Sequence, residues 1–142
     1  MSIVKKIQMS VKDSIGDSFG VYYGDDYELN LETSSMTFPC ALLRLIEDGA
    51  IVAEGGQLKE RVTAALFFVD KTEFDITAAR NEEIIDACKR TAMEWISAAN
   101  AQGDIAVAPS RTSRIYQRYD DIVTGFGILA EITELNGFCQ HK

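Results

Sequence analysis

Residues 61–100 read RVTAALFFVDKTEFDITAARNEEIIDACKRTAMEWISAAN, and this stretch decides the fold. From Arg61 to Val69 nearly every residue is apolar, on both faces of a two-residue alternation. Such a pattern is typical of a strand that is covered on both sides. We expect Phe67 to be a core anchor of this strand. The residues from about 81 to 100 then repeat apolar side chains at helical spacing, which predicts one long helix.

The predicted helix has recognisable ends and one large apolar residue. Asn81 is a suitable N-cap, and Glu82 and Glu83 occupy the first turn, where the helix dipole favours negative charge. Gly103 stops the apolar pattern. A helix of about 20 residues spans about 30 Å, which is enough to cover one face of a sheet. Trp95 lies in the apolar stripe and is expected to anchor the core.

Two strands are predicted after this helix, at Arg111–Tyr119 and Ile122–Leu135, joined around Asp120-Asp121. In the second strand, every second residue from Phe126 to Ile132 is apolar, and the other face carries Gly127, Leu129, Glu131 and Thr133. This alternation indicates a half-buried, antiparallel strand. Phe126 is therefore a third expected core anchor.

The first part of the chain predicts a helix and a loop. Apolar residues four apart from Ile3 to Ile15 predict an amphipathic N-terminal helix over residues 1–15. Residues 21–37 are rich in acidic and glycine or serine residues and predict a long acidic loop, with room for one short strand at Tyr27–Leu31. Loops of this length are often functional.

A strand and a turn are predicted before the central stretch. The strand runs from Cys40 to Ile46, and Glu47-Asp48-Gly49 is expected to turn the chain. Residues 50–60 contain Gly55-Gly56 and are expected to form a hairpin tip or a flexible loop. Together the elements predict a single α+β domain over residues 1–142. Its N-terminal helix accompanies a mixed or antiparallel sheet of about four to five strands, packed against the one long helix.

The charge is unevenly distributed along the chain. The formal net charge is −8, and residues 13–60 carry ten acidic side chains against two basic ones. An acidic surface disfavours tight binding of phosphate, so specific nucleic-acid binding is not expected.

Cys40, Cys88 and Cys139 show no paired spacing and are expected to be reduced thiols in a cytosolic setting. The sequence has no apolar run typical of a signal peptide or a membrane span, so no contact with a membrane is expected.

The residue types that carry common chemistry are missing or badly placed. His141 is the only histidine and lies one residue from the end, whereas nucleophilic catalysis needs an oriented imidazole. The sequence lacks the Cys or His pairs of zinc sites and the glycine-rich motifs of nucleotide sites. Adjacent acidic residues such as Asp120-Asp121 are interpreted as turn residues. We therefore predict no catalytic residue, no cofactor and no metal ligand.

Positive charge is concentrated at one place in the second half of the chain. Arg111, Arg114 and Arg118 lie on one predicted strand, and Tyr116 lies between the last two. Arg114, Tyr116 and Arg118 share a face, whereas Arg111 lies on the other. The acidic segment with Asp25 and Asp26 would complement these residues on a neighbouring copy of the chain. These residues are the predicted subunit interface, and solvated surface charge is the open alternative.

Four segments of the chain together resemble a known family. They are YYGDDYELNLETSSMTFPCALL (22–43), LFFVDKTEFD (66–75), NEEIIDACKRTAMEWISAAN (81–100) and YDDIVTGFGILAEITELNGFC (119–139). Their order, with a last strand pair that carries a DDxxTG motif, is similar to that of the small tail-terminator and minor tail proteins of long-tailed phages and prophages. The likeness covers about residues 1–139, and no functional residue is carried over from the family.

The resemblance implies an α+β structural protein that is not an enzyme. Such proteins assemble with copies of themselves into a ring, typically a hexamer, which caps the tail tube and contacts other tail or head-connector proteins. DNA then only passes through the lumen, and an acidic lining would repel it. The implied location is the virion tail, and the cytoplasm of the bacterial host during assembly.

Two other functions stay open on the sequence alone. One is a stand-alone protein-binding adaptor that uses the face of Arg114, Tyr116 and Arg118. The other, ranked last, is a small hydrolase with a carboxylate pair among Asp70, Asp75 and Asp120. If the protein forms a ring, we expect a stable oligomer, and if it is an adaptor, we expect a monomer or dimer. If the protein is an enzyme, replacing Asp70 is expected to abolish an activity without unfolding the chain.

Overall fold

The structure is a computed structural model that describes residues 2–16, 20–24, 37–72, 77–118 and 123–140, without the side chains of residues 47, 117 and 118. These ranges hold two helices and six strands. Their order is α1 (Ile3–Ile15), β1 (Gly20–Tyr23), β2 (Cys40–Glu54), β3 (Gln57–Lys71), α2 (Ala78–Gln102), β4 (Ile105–Arg118), β5 (Val123–Glu134) and β6 (Phe138–Cys139).

All six strands belong to one mixed sheet, in the order β1-β2-β3-β5-β4, with β6 paired to β3 beyond the end of β5. β1 is parallel to β2, and the other neighbours are antiparallel. The predicted α+β class is confirmed, with more strands than the expected four to five. The short strands β1 and β6 were not predicted. The strand predicted at Tyr27–Leu31 lies outside the described residues.

The main core lies between one face of the sheet and the two helices. Trp95 of α2 is fully buried, and its ring centroid lies 6.1 Å from that of Phe68 in β3. Its indole N–H donates a hydrogen bond of 2.9 Å to the hydroxyl of Ser10 in α1, so this bond joins the two helices. Phe126 is 6% exposed and belongs to the same core.

The opposite face of the sheet, which we call the outer face, carries a smaller apolar cluster. Phe67 is partly buried there, and it packs against buried residues of β2, β3, β4 and β5. These buried residues are Cys40, Leu42, Val69, Ile115 and Val123. β3 therefore contributes Phe68 to the main core and Phe67 to the outer cluster, since successive side chains of a strand point to opposite faces.

The long helix begins earlier than predicted. Thr77 is its N-cap, and the Thr77 hydroxyl accepts a hydrogen bond from the backbone N–H of Arg80 at 3.2 Å. Asn81 lies inside the first turns, is 8% exposed, and accepts side-chain hydrogen bonds from Thr72 at 3.3 Å and Thr124 at 3.4 Å. Threonine and asparagine both suit an N-cap, so the sequence did not decide between the two positions.

β2 and β3 form a hairpin of two 15-residue strands. The turn predicted at Glu47-Asp48-Gly49 is wrong, because the strand continues through a shift in register between Ile46 and Gly49. The chain turns instead at Gly55 and Gly56, whose φ angles of 59° and 76° favour glycine. Because β5 pairs with β3 only from Arg61 onward, the hairpin tip extends beyond β5. We call residues 50–60 together with β6 the arm.

Neither of the two helices in the described ranges is long and apolar enough to cross a membrane.

Candidate functional site

The arm exposes large apolar side chains on one of its faces. Ile51 is 69% exposed, Phe138 is 68% exposed and Leu58 is 38% exposed. Ile51 pairs with Glu60, and Leu58 pairs with Phe138, so these side chains lie on a common face. This face is the one that packs against the helices elsewhere in the sheet, because Leu58 and the buried Val62 are four residues apart on one strand. The apolar face of the sheet therefore continues onto the arm, where the helices leave it exposed.

The other face of the arm is polar. Lys59 forms an ion pair with Glu54 across the hairpin at 3.7 Å. Arg61, at the base of the arm, donates a hydrogen bond from Nε to the hydroxyl of Thr133 at 3.2 Å. The arm is therefore amphipathic, with one apolar and one polar face. Exposed apolar patches with polar rims are typical of protein-binding surfaces.

An ion pair lies at the edge of the apolar face. Glu134 of β5 accepts a hydrogen bond of 2.6 Å from Lys6 Nζ of α1 and one of 3.0 Å from the backbone N–H of Glu60. Burial acts to raise the pKa of Glu134, but the hydrogen bonds from Lys6 and Glu60 outweigh it, so the pKa is lowered. The pair joins α1 to the base of the arm.

Replacing Lys6 by methionine is expected to remove part of the pH dependence of stability. Because the folded pKa of Glu134 is lowered from 4.5, the ion pair stabilises the fold above about pH 4.5, and this contribution is lost as the pH falls through the folded pKa. The unchanged protein should therefore exceed the Lys6→Met variant in free energy of unfolding by more at pH 7 than at pH 3, as measured by urea unfolding. The control is Lys5→Met, because Lys5 is exposed on the same helix. An equal difference at both pH values for Lys6→Met would contradict the assignment.

A second candidate surface lies on the outer face of the sheet. Arg44, Ala65, Leu129 and Arg111 pair in that order across four strands, so they form one row. With Phe67 in the next row they line a cavity of about 320 Å³. We call this cavity the outer groove. Its floor is apolar and an arginine lies at each end of the row.

The predicted interface residues divide between the two faces. Arg111 is exposed at the outer groove, whereas Arg114 and Tyr116 lie on the helix side, next to Glu82 of α2. Arg114 donates from Nε to the Tyr116 hydroxyl at 3.0 Å and from Nη2 to the Glu82 carboxylate, and the Tyr116 hydroxyl donates to Glu82 at 3.2 Å. The hydrogen bond from Arg114 is the first cause of the lowered pKa of Glu82. Arg114 is thus paired within its own chain.

Other residues singled out in the sequence cannot be placed at this site. The side chain of Arg118 is outside what the structure describes, as are Asp25 and Asp26. The same is true of Asp75, Asp120 and His141, so the carboxylate pairs proposed with Asp70 are not described. In the described ranges no group of three or more His, Cys, Asp or Glu side chains is arranged to hold a metal ion.

The three cysteines are free thiols in different environments. Cys40 and Cys88 are buried, and burial, followed by the negative charge of Asp70, raises the pKa of each thiol to about 12. They are therefore poor nucleophiles at neutral pH. Cys139 lies in the arm and is exposed. It is the accessible thiol of the described residues.

Sequence reasoning missed the three apolar residues of the arm. Ile51 and Leu58 lie in the segment predicted as a hairpin tip or a flexible loop, and Phe138 lies in a segment without a prediction. The hairpin at Gly55-Gly56 is confirmed, but the turn predicted at Glu47-Asp48-Gly49 hid the strand that contains Ile51. Leu58 carries no signal for a strand, because its sequence neighbours are polar, but Ile51 lies in the apolar run of residues 50–53, which is a usable signal. It does not show that the apolar side is exposed, since a covered strand has the same pattern.

Comparison of the sequence with models of protein families finds no match, and comparison with curated proteins finds none either. The resemblance to tail proteins therefore stays a prediction, and the function is argued from the surfaces described above.

Proposed function

We propose that this protein is a structural protein that assembles with copies of itself, without catalytic activity of its own. The exposed apolar face of the arm carries this proposal. Burying a large apolar side chain contributes about 1.5–3 kcal/mol, so three such side chains on one face provide a substantial driving force for association. An isolated monomer leaves Ile51 and Phe138 more than two-thirds exposed to water.

The resemblance to phage tail proteins specifies the assembly further. In that assignment the copies form a ring, a hexamer in the family, at the end of a tail tube in the virion. The ring contacts other tail or head-connector proteins, and DNA only passes through its lumen. The net charge of −8 supports this role, because an acidic lumen does not retain DNA.

A protein-binding adaptor is the second candidate function. The exposed ring of Tyr116 and its neighbour Arg114 favour it, since tyrosine and arginine are enriched where proteins contact each other. In this alternative the chain would remain a monomer or dimer, and Tyr116 would contact a different protein. Arg114 and Tyr116 both donate hydrogen bonds to Glu82, which orients the two side chains on this surface.

The solution mass distinguishes the two functions. We expect light scattering to give a species larger than a dimer, and for a hexamer of the 15.7 kDa chain a mass of about 94 kDa. Because apolar contacts dominate, the species should persist when the salt concentration is raised from 0.1 to 1 M, which screens surface charges. A mass of 15.7 kDa at every protein concentration up to the millimolar range would contradict self-assembly and favour the adaptor.

A further inference from the structure

The arm and the outer groove both carry apolar surface, and the charged residues beside that surface are opposite in sign. The arm presents exposed apolar side chains on one face, and the exposed Glu60 lies beside Ile51 and Leu58 on that face. The outer groove presents an apolar floor of Ala65 and Leu129 with Arg111 at its rim. One surface therefore offers apolar side chains flanked by an acid, and the other offers an apolar cavity flanked by a base.

These two surfaces cannot meet within one chain. Leu58 and Ala65 belong to the same strand and are seven residues apart, which is roughly 23 Å along an extended strand. They also point to opposite faces of the sheet, because an odd number of residues separates them. A contact between the two surfaces must therefore join two copies of the chain.

We propose that the apolar face of the arm docks into the outer groove of a second copy of this chain. The occupant is a second copy because the complementary surface, with its opposite charge, is present on the same chain. Glu60 of one copy then lies next to Arg111 of the other. This inference deepens the proposed self-assembly and rests on it.

The contact is head-to-tail, because the two partners contribute different surfaces. Each copy keeps a free arm at one side and a free groove at the other, so further copies add in the same way. Repeated heterologous contacts close into a ring where the rotation allows it. A head-to-tail contact between the arm and the outer groove is therefore of the type that builds cyclic assemblies.

The β4 edge of the sheet is less suitable for joining copies. β4 forms one edge of the sheet in the described residues, and it contains Pro109 and two shifts in register against β5. Proline and irregular pairing both hinder the addition of a further strand at an edge. At the β4 edge, therefore, docking by side chains is favoured over extension of the sheet.

Cross-linking between single cysteines tests the docking directly. Cys139→Ser removes the exposed thiol, and Cys40 and Cys88 remain buried and unreactive. In that background we introduce Asn136→Cys beside the arm in one sample and Ser113→Cys beside the groove in another, both at exposed positions. The two proteins are mixed with a short bis-maleimide, and linked peptides are identified by mass spectrometry while light scattering records the mass. We expect links between position 136 and position 113.

Each other result has a defined meaning. Links only between two copies of position 136 would show that the arms meet each other, and would overturn the docking. An oligomer by light scattering without any link from 136 to 113 would also overturn it, but would leave the proposed self-assembly standing. A monomer in light scattering would overturn both.

Substitution of single residues provides an independent readout. Phe138→Ser is expected to weaken self-association about ten- to a hundredfold, the range expected when one large apolar contact is lost. The matched control is Met93→Ser, which removes a residue that is 55% exposed on α2, away from both surfaces. Equal weakening by both substitutions, or no weakening by Phe138→Ser, would overturn the docking.

A charge exchange tests the neighbourhood of Glu60 and Arg111. Glu60→Arg alone and Arg111→Glu alone place like charges together and are each expected to weaken association several-fold at low salt. The double variant restores opposite charges and is expected to recover most of the affinity. Circular dichroism shows whether each variant is folded. If the folded double variant does not recover the affinity, Glu60 and Arg111 do not lie next to each other, and the proposed orientation is overturned.

Discussion

Replacing Trp95 by alanine is expected to lower the free energy of unfolding by about 3–5 kcal/mol. Trp95 is the largest of the fully buried side chains and lies at the point where α1, α2 and β3 meet. Its removal leaves a cavity beside Phe68, which a rigid sheet cannot fill. It also removes the donor of the 2.9 Å hydrogen bond to Ser10. Urea unfolding followed by circular dichroism measures the change.

Two further substitutions separate the cavity from the hydrogen bond. Ser10→Ala keeps the indole but leaves its buried N–H without the hydroxyl, which is expected to cost about 1–3 kcal/mol. Met93→Ala, on the exposed side of the same helix, is expected to change stability by about 0.5 kcal/mol or less. A Trp95→Ala variant as stable as Met93→Ala would remove Trp95 from the core.

Replacing Gly125 by alanine is expected to destabilise the fold by about 3 kcal/mol or more. Gly125 lies in β5 between Val69 of β3 and Ile115 of β4. A Cβ at this position would overlap the backbone carbonyl of Phe68 and lie 2.8 Å from the Cα of Val69. Backbone atoms of a central strand cannot move aside without breaking the pairing of β3 with β5. Thermal and urea unfolding of the variant measure this cost.

Gly103→Ala is the control for this prediction. Gly103 ends α2 with a φ of 85°, and no atom would lie within 4 Å of an added Cβ. Alanine there is strained by its backbone angle alone, which costs about 1 kcal/mol. The prediction for Gly125 is contradicted if the two alanine variants unfold at the same urea concentration with the same slope.

The elements predicted well are those whose pattern lies within a single segment. The apolar stripe with Ile85 and Trp95 indicates a helix without reference to any other part of the chain, and the structure has that helix. The alternation around Phe126 and Ile128 likewise identifies β5 and its buried face. The ends of the long helix differ from the predicted ones, because Thr77 and Asn81 are equally suitable N-cap residues in the sequence.

The elements that were missed depend on distant partners. Gly20–Tyr23 is a strand because it pairs with residues 40–43, and Phe138 belongs to the sheet because it pairs with Leu58. Neither segment is long enough to be identified by its own alternation. The register shift near Gly49 absorbs residues that usually form turns, and an added Cβ at Gly49 would lie 2.9 Å from the carbonyl oxygen of Arg61.

The candidate site was predicted in part. Arg114 and Tyr116 lie together on one face and Arg111 on the other, as the spacing along a strand predicts. The sequence did not show that Glu82, 32 residues earlier, pairs with Arg114. It also did not show where the helices stop covering the sheet, and this limit decides which apolar residues stay exposed on the arm.

The bond between Ser10 and Trp95 joins residues 85 positions apart, and the ion pair between Lys6 and Glu134 joins residues 128 positions apart. α1 is therefore synthesised long before α2 and β5, which carry these partners. At a translation rate of about 5–20 residues per second, the 128 positions between Lys6 and Glu134 correspond to a delay of roughly 6–26 s. During that interval Ile3, Ile7 and Val11, all buried in the finished fold, are open to chaperones and to other nascent chains.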